Sequence, residues 1–137
     1  MSKKFKFLEH TADVKFQAFG SSLEKAFSNS ALALAEVMTK KTRIKPKIKK
    51  KIKVSGKDTE SLLYNFLEEF LFLFDSEGFI LSKINKIKIK DNELEADVIG
   101  DNVKNYKISQ DVKAITYNSM FVKKEKGKFI IQVVLDV

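Results

Sequence analysis

The stretch from Asp58 to Gly78, DTESLLYNFLEEFLFLFDSEG, decides how this chain is read. Within it Leu62, Leu63, Phe66, Leu67, Phe70, Leu71 and Phe74 recur at the spacing of one helix face and make a broad apolar stripe. Asp58 is a helix-start residue, because its carboxylate can accept from amides that the first turn leaves unpaired. Asp75-Ser76-Glu77-Gly78 ends the helix. A stripe of this width is core packing rather than a partner groove, so the flanking segments must cover it.

Those segments alternate instead. From Ile44 to Val54, Ile44, Ile48, Ile52 and Val54 fall on one side and Lys45, Lys47, Lys49, Lys51 and Lys53 on the other, which is a strand with a lysine comb. Pro46 marks its first part as an edge or unpaired. Downstream, Ile80 to Lys90 and Leu94 to Ile99 flank Asp91-Asn92 as a hairpin, with Leu94, Ala96 and Val98 inward and Glu93, Glu95 and Asp97 outward. A second hairpin, Tyr117 to Lys124 and Lys128 to Leu135, turns at Lys126-Gly127, where the glycine supplies positive φ.

Nearer the start, Leu23, Ala26, Phe27, Ala31, Leu34 and Met38 predict a helix ending near Thr39, with Ser21 and Glu24 as its capping box. Phe5 and Phe7, then Val14, Phe16 and Ala18, predict two strands joined by a turn at Glu9 to Asp13, with Gly20 breaking the second. This order predicts one α+β domain over residues 1–137, a mostly antiparallel sheet packed against two helices.

Composition narrows the chemistry. A chain of 137 residues buries about 65 to 70% of its unfolded surface. With no cysteine and one histidine, His10, disulfides, thiolate chemistry and His/Cys zinc sites within one chain are excluded. No stretch approaches the roughly 18 consecutive apolar residues of a membrane span, which predicts a cytosolic protein without a membrane partner.

The net charge of +8 suggests nucleic acid, but its distribution is uneven. Nine cations and no acid lie between Lys40 and Lys53, leaving 17 basic against 18 acidic residues elsewhere. The comb could track a phosphate backbone. Equally, it could be a solvated edge strand in which lysines discourage aggregation. It lacks the interleaved aromatics that single-stranded binding favours. Phosphate-cradling glycine loops and nucleophile elbows are absent.

Any metal site must then be oxygen-rich and suit a hard ion: Ca²⁺, Mg²⁺ or Mn²⁺. Two carboxylates stand out by position, Asp13 at the start of a strand and Asp136 beside the α-carboxylate of Val137. If the first and last strands are neighbours, these groups gather like charge that a divalent ion would relieve. Otherwise they are a turn aspartate and a frayed tail.

His10-Thr11-Ala12-Asp13-Val14, the Asp58 to Gly78 segment, Val112-Lys113-Ala114-Ile115-Thr116-Tyr117 and Leu135-Asp136-Val137 together resemble the archease family, in order over nearly the whole chain. The resemblance implies a strand-helix-strand-strand core with an inserted helical and β segment. It implies a non-catalytic activator of an RtcB-type RNA ligase in tRNA splicing and RNA repair, promoting guanylylation and multiple turnover. It further implies a divalent metal, Ca²⁺ with Mg²⁺ or Mn²⁺ as alternatives, held by Asp13, Asp136 and Val137, with His10, Thr11 and Lys113 as candidate partner contacts. Asn118 and Tyr106 stand where the family has histidines, and Phe129 where it commonly has tryptophan.

Two rival classes compete with this expectation. One is an RNA-binding or tRNA-modification chaperone, for example of a tRNA methyltransferase, working through the lysine-rich strand 44–54. The other is a small metal-dependent hydrolase using the same carboxylates, although no general base or nucleophile accompanies them.

Overall fold

In a computed structural model, residues 3–8 and 13–137 are described. The helix read first is α2, Thr59–Glu77. Its Asp58 cap is reciprocal: the carboxylate accepts from the Ser61 amide at 2.7 Å, while the Ser61 hydroxyl accepts from the Asp58 amide at 3.1 Å. Gly78 closes the helix at φ 64°, its N–H reaching back to the Leu73 and Phe74 carbonyls. Leu62, Leu63, Phe66 and Leu67 are buried, as the stripe requires.

The other helix, α1 (Leu23–Thr39), starts one residue later than the capping box predicts. Ser22 is the N-cap, and its hydroxyl accepts from the Lys25 amide at 3.2 Å. The Ser21/Glu24 reading is thereby corrected. Neighbouring serines make the register of a cap ambiguous until the first turn is packed.

Among the described residues seven strands, antiparallel wherever they pair, form two sheets. The first has the order β1-β2-β7-β6, from β1 (Phe5–Leu8), β2 (Val14–Gly20), β7 (Lys128–Asp136) and β6 (Ala114–Glu125). The second has the order β3-β5-β4, from β3 (Ile48–Ser55), β5 (Glu93–Asn102) and β4 (Phe79–Lys90). The lysine-comb strand begins at Ile48 rather than Ile44, and Pro46 lies outside it, as a residue without an N–H must in a ladder.

α1 packs on β2 and β7 of one sheet and on β4 of the other, while α2 packs on β6 of one and on β3, β4 and β5 of the other. The helices therefore form a middle layer. Phe27 and Phe66 meet within it, ring centroids 5.8 Å apart, and Phe70 stands edge-on to Phe66 at 5.1 Å. β3-α2-β4-β5 is the segment inserted between α1 and the closing hairpin β6-β7. Both long hairpins turn through left-handed pairs, Asp91-Asn92 and Lys126-Gly127, the geometry that matches strand twist. Among the described residues no helix is long and apolar enough to cross a membrane.

Candidate functional site

The two ends of the chain meet in the first sheet. Val14 pairs with Leu135, Phe16 with Val133 and Ala18 with Ile131, and all but Val14 are fully buried. One position beyond the Val14/Leu135 pair, each strand reaches its aspartate: Asp13 before β2, Asp136 at the end of β7. On the far side of β7, Ala114 pairs with Asp136, and the Lys113 amide donates to the Asp136 carbonyl at 2.8 Å. The register thus brings Asp13, Asp136 and Lys113 to the same end of three adjacent strands. Asp13 and Asp136 are half-buried and Lys113 is exposed, while Val137 packs against the core edge.

Asp13 also lines an open groove of about 650 Å³, with Phe7, Val14 and Val37 as its apolar floor and Glu36 and Lys40 on its rim. His10, Thr11 and most of the predicted Glu9 to Asp13 turn lie outside the described residues. Among the described residues no group of three or more His, Cys, Asp or Glu side chains is gathered to hold a metal ion. The donor chemistry described at this end nevertheless fits a hard cation: two carboxylates and main-chain oxygens, with no soft ligand among the described residues. Such a set leaves most of the six to eight oxygens of a Ca²⁺ shell to water or a partner.

The lysine comb is in different company from that expected. Lys51 lies opposite Asp97 and Lys53 opposite Glu95, and on the other flank of β5 Lys86, Lys88 and Lys90 face Asp97, Glu95 and Glu93. The sheet presents a row of carboxylates between two rows of lysines, with Lys53 Nζ 3.5 Å from Glu95. Cross-strand pairs of opposite charge stabilise a sheet locally and offset the net charge of its face.

Sequence reasoning missed the surroundings of Tyr117. β6 bulges after Thr116, which faces Val134, and recovers its register at Phe121, which faces Gln132. The extruded residues include Ser119 at φ 57°. Gln132 is buried; its amide donates to the Ser119 carbonyl at 2.8 Å, while its own carbonyl accepts from Gln17 at 2.9 Å. Tyr117 is thereby laid flat on Tyr64 of α2. No local signal announces a bulge of this kind.

Asp101, by contrast, is a satisfied structural carboxylate. It is buried and accepts from the Tyr106 hydroxyl at 2.7 Å and the Asn102 amide at 2.8 Å, while that hydroxyl accepts from the Lys45 amide at 2.8 Å. Tyr106, one of the departures from the family pattern, ties the loop after β5 to the segment before β3.

Fold and site together define a class: a three-layer β/α/β domain whose second and last strands pair to present carboxylates at one end. The sequence profile of the archease protein family matches residues 5–137. The chain is 37% identical over 138 residues to "Protein archease" of Sulfurisphaera tokodaii, covering 98% of this chain and 99% of that one. It is 37% identical over 142 residues to "Protein archease" of Pyrococcus abyssi, with the same coverage. The solution structure of Methanobacterium thermoautotrophicum protein 1598 superposes with a TM-score of 0.82 at 36% identity, covering 98% of this chain and 99% of that chain. An archease from Thermotoga maritima, described as a possible chaperone, shares the fold with a TM-score of 0.67 at 23% identity, over 96% of each chain. This chain belongs to the archease family.

Proposed function

We propose that this protein is a cytosolic, non-catalytic activator of an RtcB-type RNA ligase, promoting guanylylation and repeated turnover through an acidic, metal-binding tip. The observation that carries this reading is the Val14/Leu135 register, which sets Asp13 and Asp136 at neighbouring positions on adjacent strands. Asp13, Asp136 and a main-chain oxygen of Val137 would hold the metal. A bound divalent ion supplies charge compensation to these carboxylates and a Lewis-acidic centre for phosphate oxygens. A coordination shell that the protein leaves incomplete suits a site completed by another protein's nucleotide or metal. Lys113, anchored by its amide to the Asp136 carbonyl, contributes a cation to the rim.

The test is a stalled RtcB-type ligase supplied with this protein, scored for guanylylated ligase and for ligated RNA per ligase. Wild type is expected to raise both. Asp13→Ala and Asp136→Ala are expected to abolish the effect while remaining folded, and full stimulation by both variants overturns the proposal.

A chaperone reading through strand 44–54 is favoured by the description of the Thermotoga maritima relative, and opposed by the carboxylate row between the lysines. Replacing Lys47, Lys49, Lys51 and Lys53 by Glu separates the two: joint loss of RNA affinity and function would favour the chaperone.

A further inference from the structure

Among the described residues both sheets carry lysines on their outer surfaces, but a row of carboxylates runs between the lysines only on the sheet of β3, β5 and β4. On the four-stranded sheet, Phe16, Ala18, Ile131 and Val133 point into the core, so the alternate residues of β2 and β7 face outward. The register arranges that outer face in rows. Phe19, Ile130 and Lys123 lie abreast, then Lys6, Gln17, Gln132 and Phe121, then Lys15, Val134 and Thr116. None of these rows contains an acid; carboxylates flank them at both ends, Asp13 and Asp136 at one and Glu125, 3.3 Å from Lys123 Nζ, at the other.

Cations and aromatic rings are interleaved here. Lys6 Nζ sits 5.9 Å from the Phe19 ring centroid and Lys123 Nζ 5.0 Å from that of Phe121. Lys6 and Lys123 are exposed and both rings are half-buried. Phe19 also forms a wall of a cavity of about 410 Å³ whose charged lining is Lys3, Lys4, Lys25 and Lys128. Between the rings lies half-buried Gln17, an uncharged amide whose N–H donates to buried Gln132 beside it.

We propose that this outer face is a docking surface for single-stranded RNA, with phosphates on Lys6, Lys15 and Lys123 and bases against Phe19 and Phe121. The polyanion matches a face whose central rows carry lysines and no acid, and ring faces serve unpaired bases, which a duplex keeps stacked inside. The strand would run toward the Asp13/Asp136 end of the same sheet. The choice of RNA over DNA rests on the proposed function; the surface itself does not.

The test is direct binding without ligase, using a fluorescein-labelled oligouridine of about ten nucleotides and fluorescence anisotropy at low salt. The Lys6→Glu/Lys15→Glu/Lys123→Glu variant is expected to bind about tenfold or more weakly, and wild-type affinity to fall with salt with a log–log slope of about −2, as three phosphate contacts require. The control Lys49→Glu/Lys51→Glu/Lys53→Glu makes the same charge change on the other sheet and is expected to keep near-wild-type affinity. Equal loss in both variants, tighter binding of duplex RNA or tighter binding of the matching DNA overturns the proposal.

Should the triple variant misfold, photocrosslinking of a 4-thiouridine oligomer to wild type decides: adducts on Phe19, Phe121 or their neighbours support it, and adducts on β3 or β4 overturn it. Absence of RNA binding by wild type would sink this surface while leaving ligase stimulation through Asp13 and Asp136 intact. Full stimulation by Asp13→Ala and Asp136→Ala with RNA binding retained would overturn the metal-tip reading and leave this surface standing.

Discussion

Tyr64 and Tyr117 stack face to face, ring centroids 4.4 Å apart and planes within 6° of parallel. One ring comes from α2 in the inserted segment and the other from the bulge of β6, so the stack joins the insertion to the closing hairpin. Tyr117 remains 54% exposed, which limits what the contact contributes to the interaction beyond area to about 1 kcal/mol. Tyr117→Ala is expected to lower unfolding free energy by about that amount in urea titration, without change in the slope. A loss above about 3 kcal/mol would mean that the ring supports the core itself, as truncations of buried aromatics do.

The bulge that carries Tyr117 depends on a buried amide. Gln132→Leu keeps volume but removes the donor to the Ser119 carbonyl and the acceptor for Gln17, leaving polar groups unpaired at a cost of about 1 to 3 kcal/mol. The expected signature is local as well as global: amide exchange should accelerate at 117–120 more than along β7. Uniform exchange would show that the bulge is held by its backbone alone.

Stability should fall at both extremes of pH, from opposite shifts. The Ser61 amide, then the Ser61 hydroxyl, hold Asp58 below its usual range, and the Tyr106 hydroxyl, then the Asn102 amide, do the same for Asp101. Carboxylates lowered on folding contribute stability that is present above their unfolded value of about 3.9 and is lost as pH falls through the folded values. Burial raises Tyr64, with Glu68 adding to it, and burial also raises Tyr117, with Asp58, Glu68 and Glu60 adding to it. Their contribution is present below about pH 10 and disappears as pH rises through the folded values. Urea midpoints across pH are expected to show an acid limb that Asp101→Asn makes shallower. Phenolate absorbance should titrate above pH 10, and Glu68→Gln should move it downward.

Much of this fold is legible because its elements obey local rules. The α2 stripe, the Asp58 cap, the two left-handed hairpin turns and the unpaired Pro46 each follow from side-chain chemistry within a few residues. The division into two sheets does not, since nothing local tells β2 to pair with β7 on one side of the layer of helices and β3 with β5 on the other. The lysine comb shows the same limit: its alternation is plain along β3, but the carboxylates that face it lie on β5, over forty residues away. For the tip, spacing alone leaves Asp13 and Asp136 as unrelated residues. Only the Val14/Leu135 pairing makes them neighbours.

That pairing gives a prediction for metal that needs no ligase. Two carboxylates set at neighbouring positions repel each other, and a divalent ion that binds only the folded state stabilises it by RT ln(1 + [L]/Kd), about 2.7 kcal/mol at a hundredfold excess over Kd. Thermal unfolding is therefore expected to shift upward with Ca²⁺ in wild type and to respond less in Asp13→Asn and Asp136→Asn. Each variant removes one charge from the pair, so its melting temperature without metal should equal or exceed that of wild type. A lower metal-free melting temperature would mean that these carboxylates hold the strand ends together rather than wait for a cation. An unchanged response to Ca²⁺ in both variants would place the ion elsewhere.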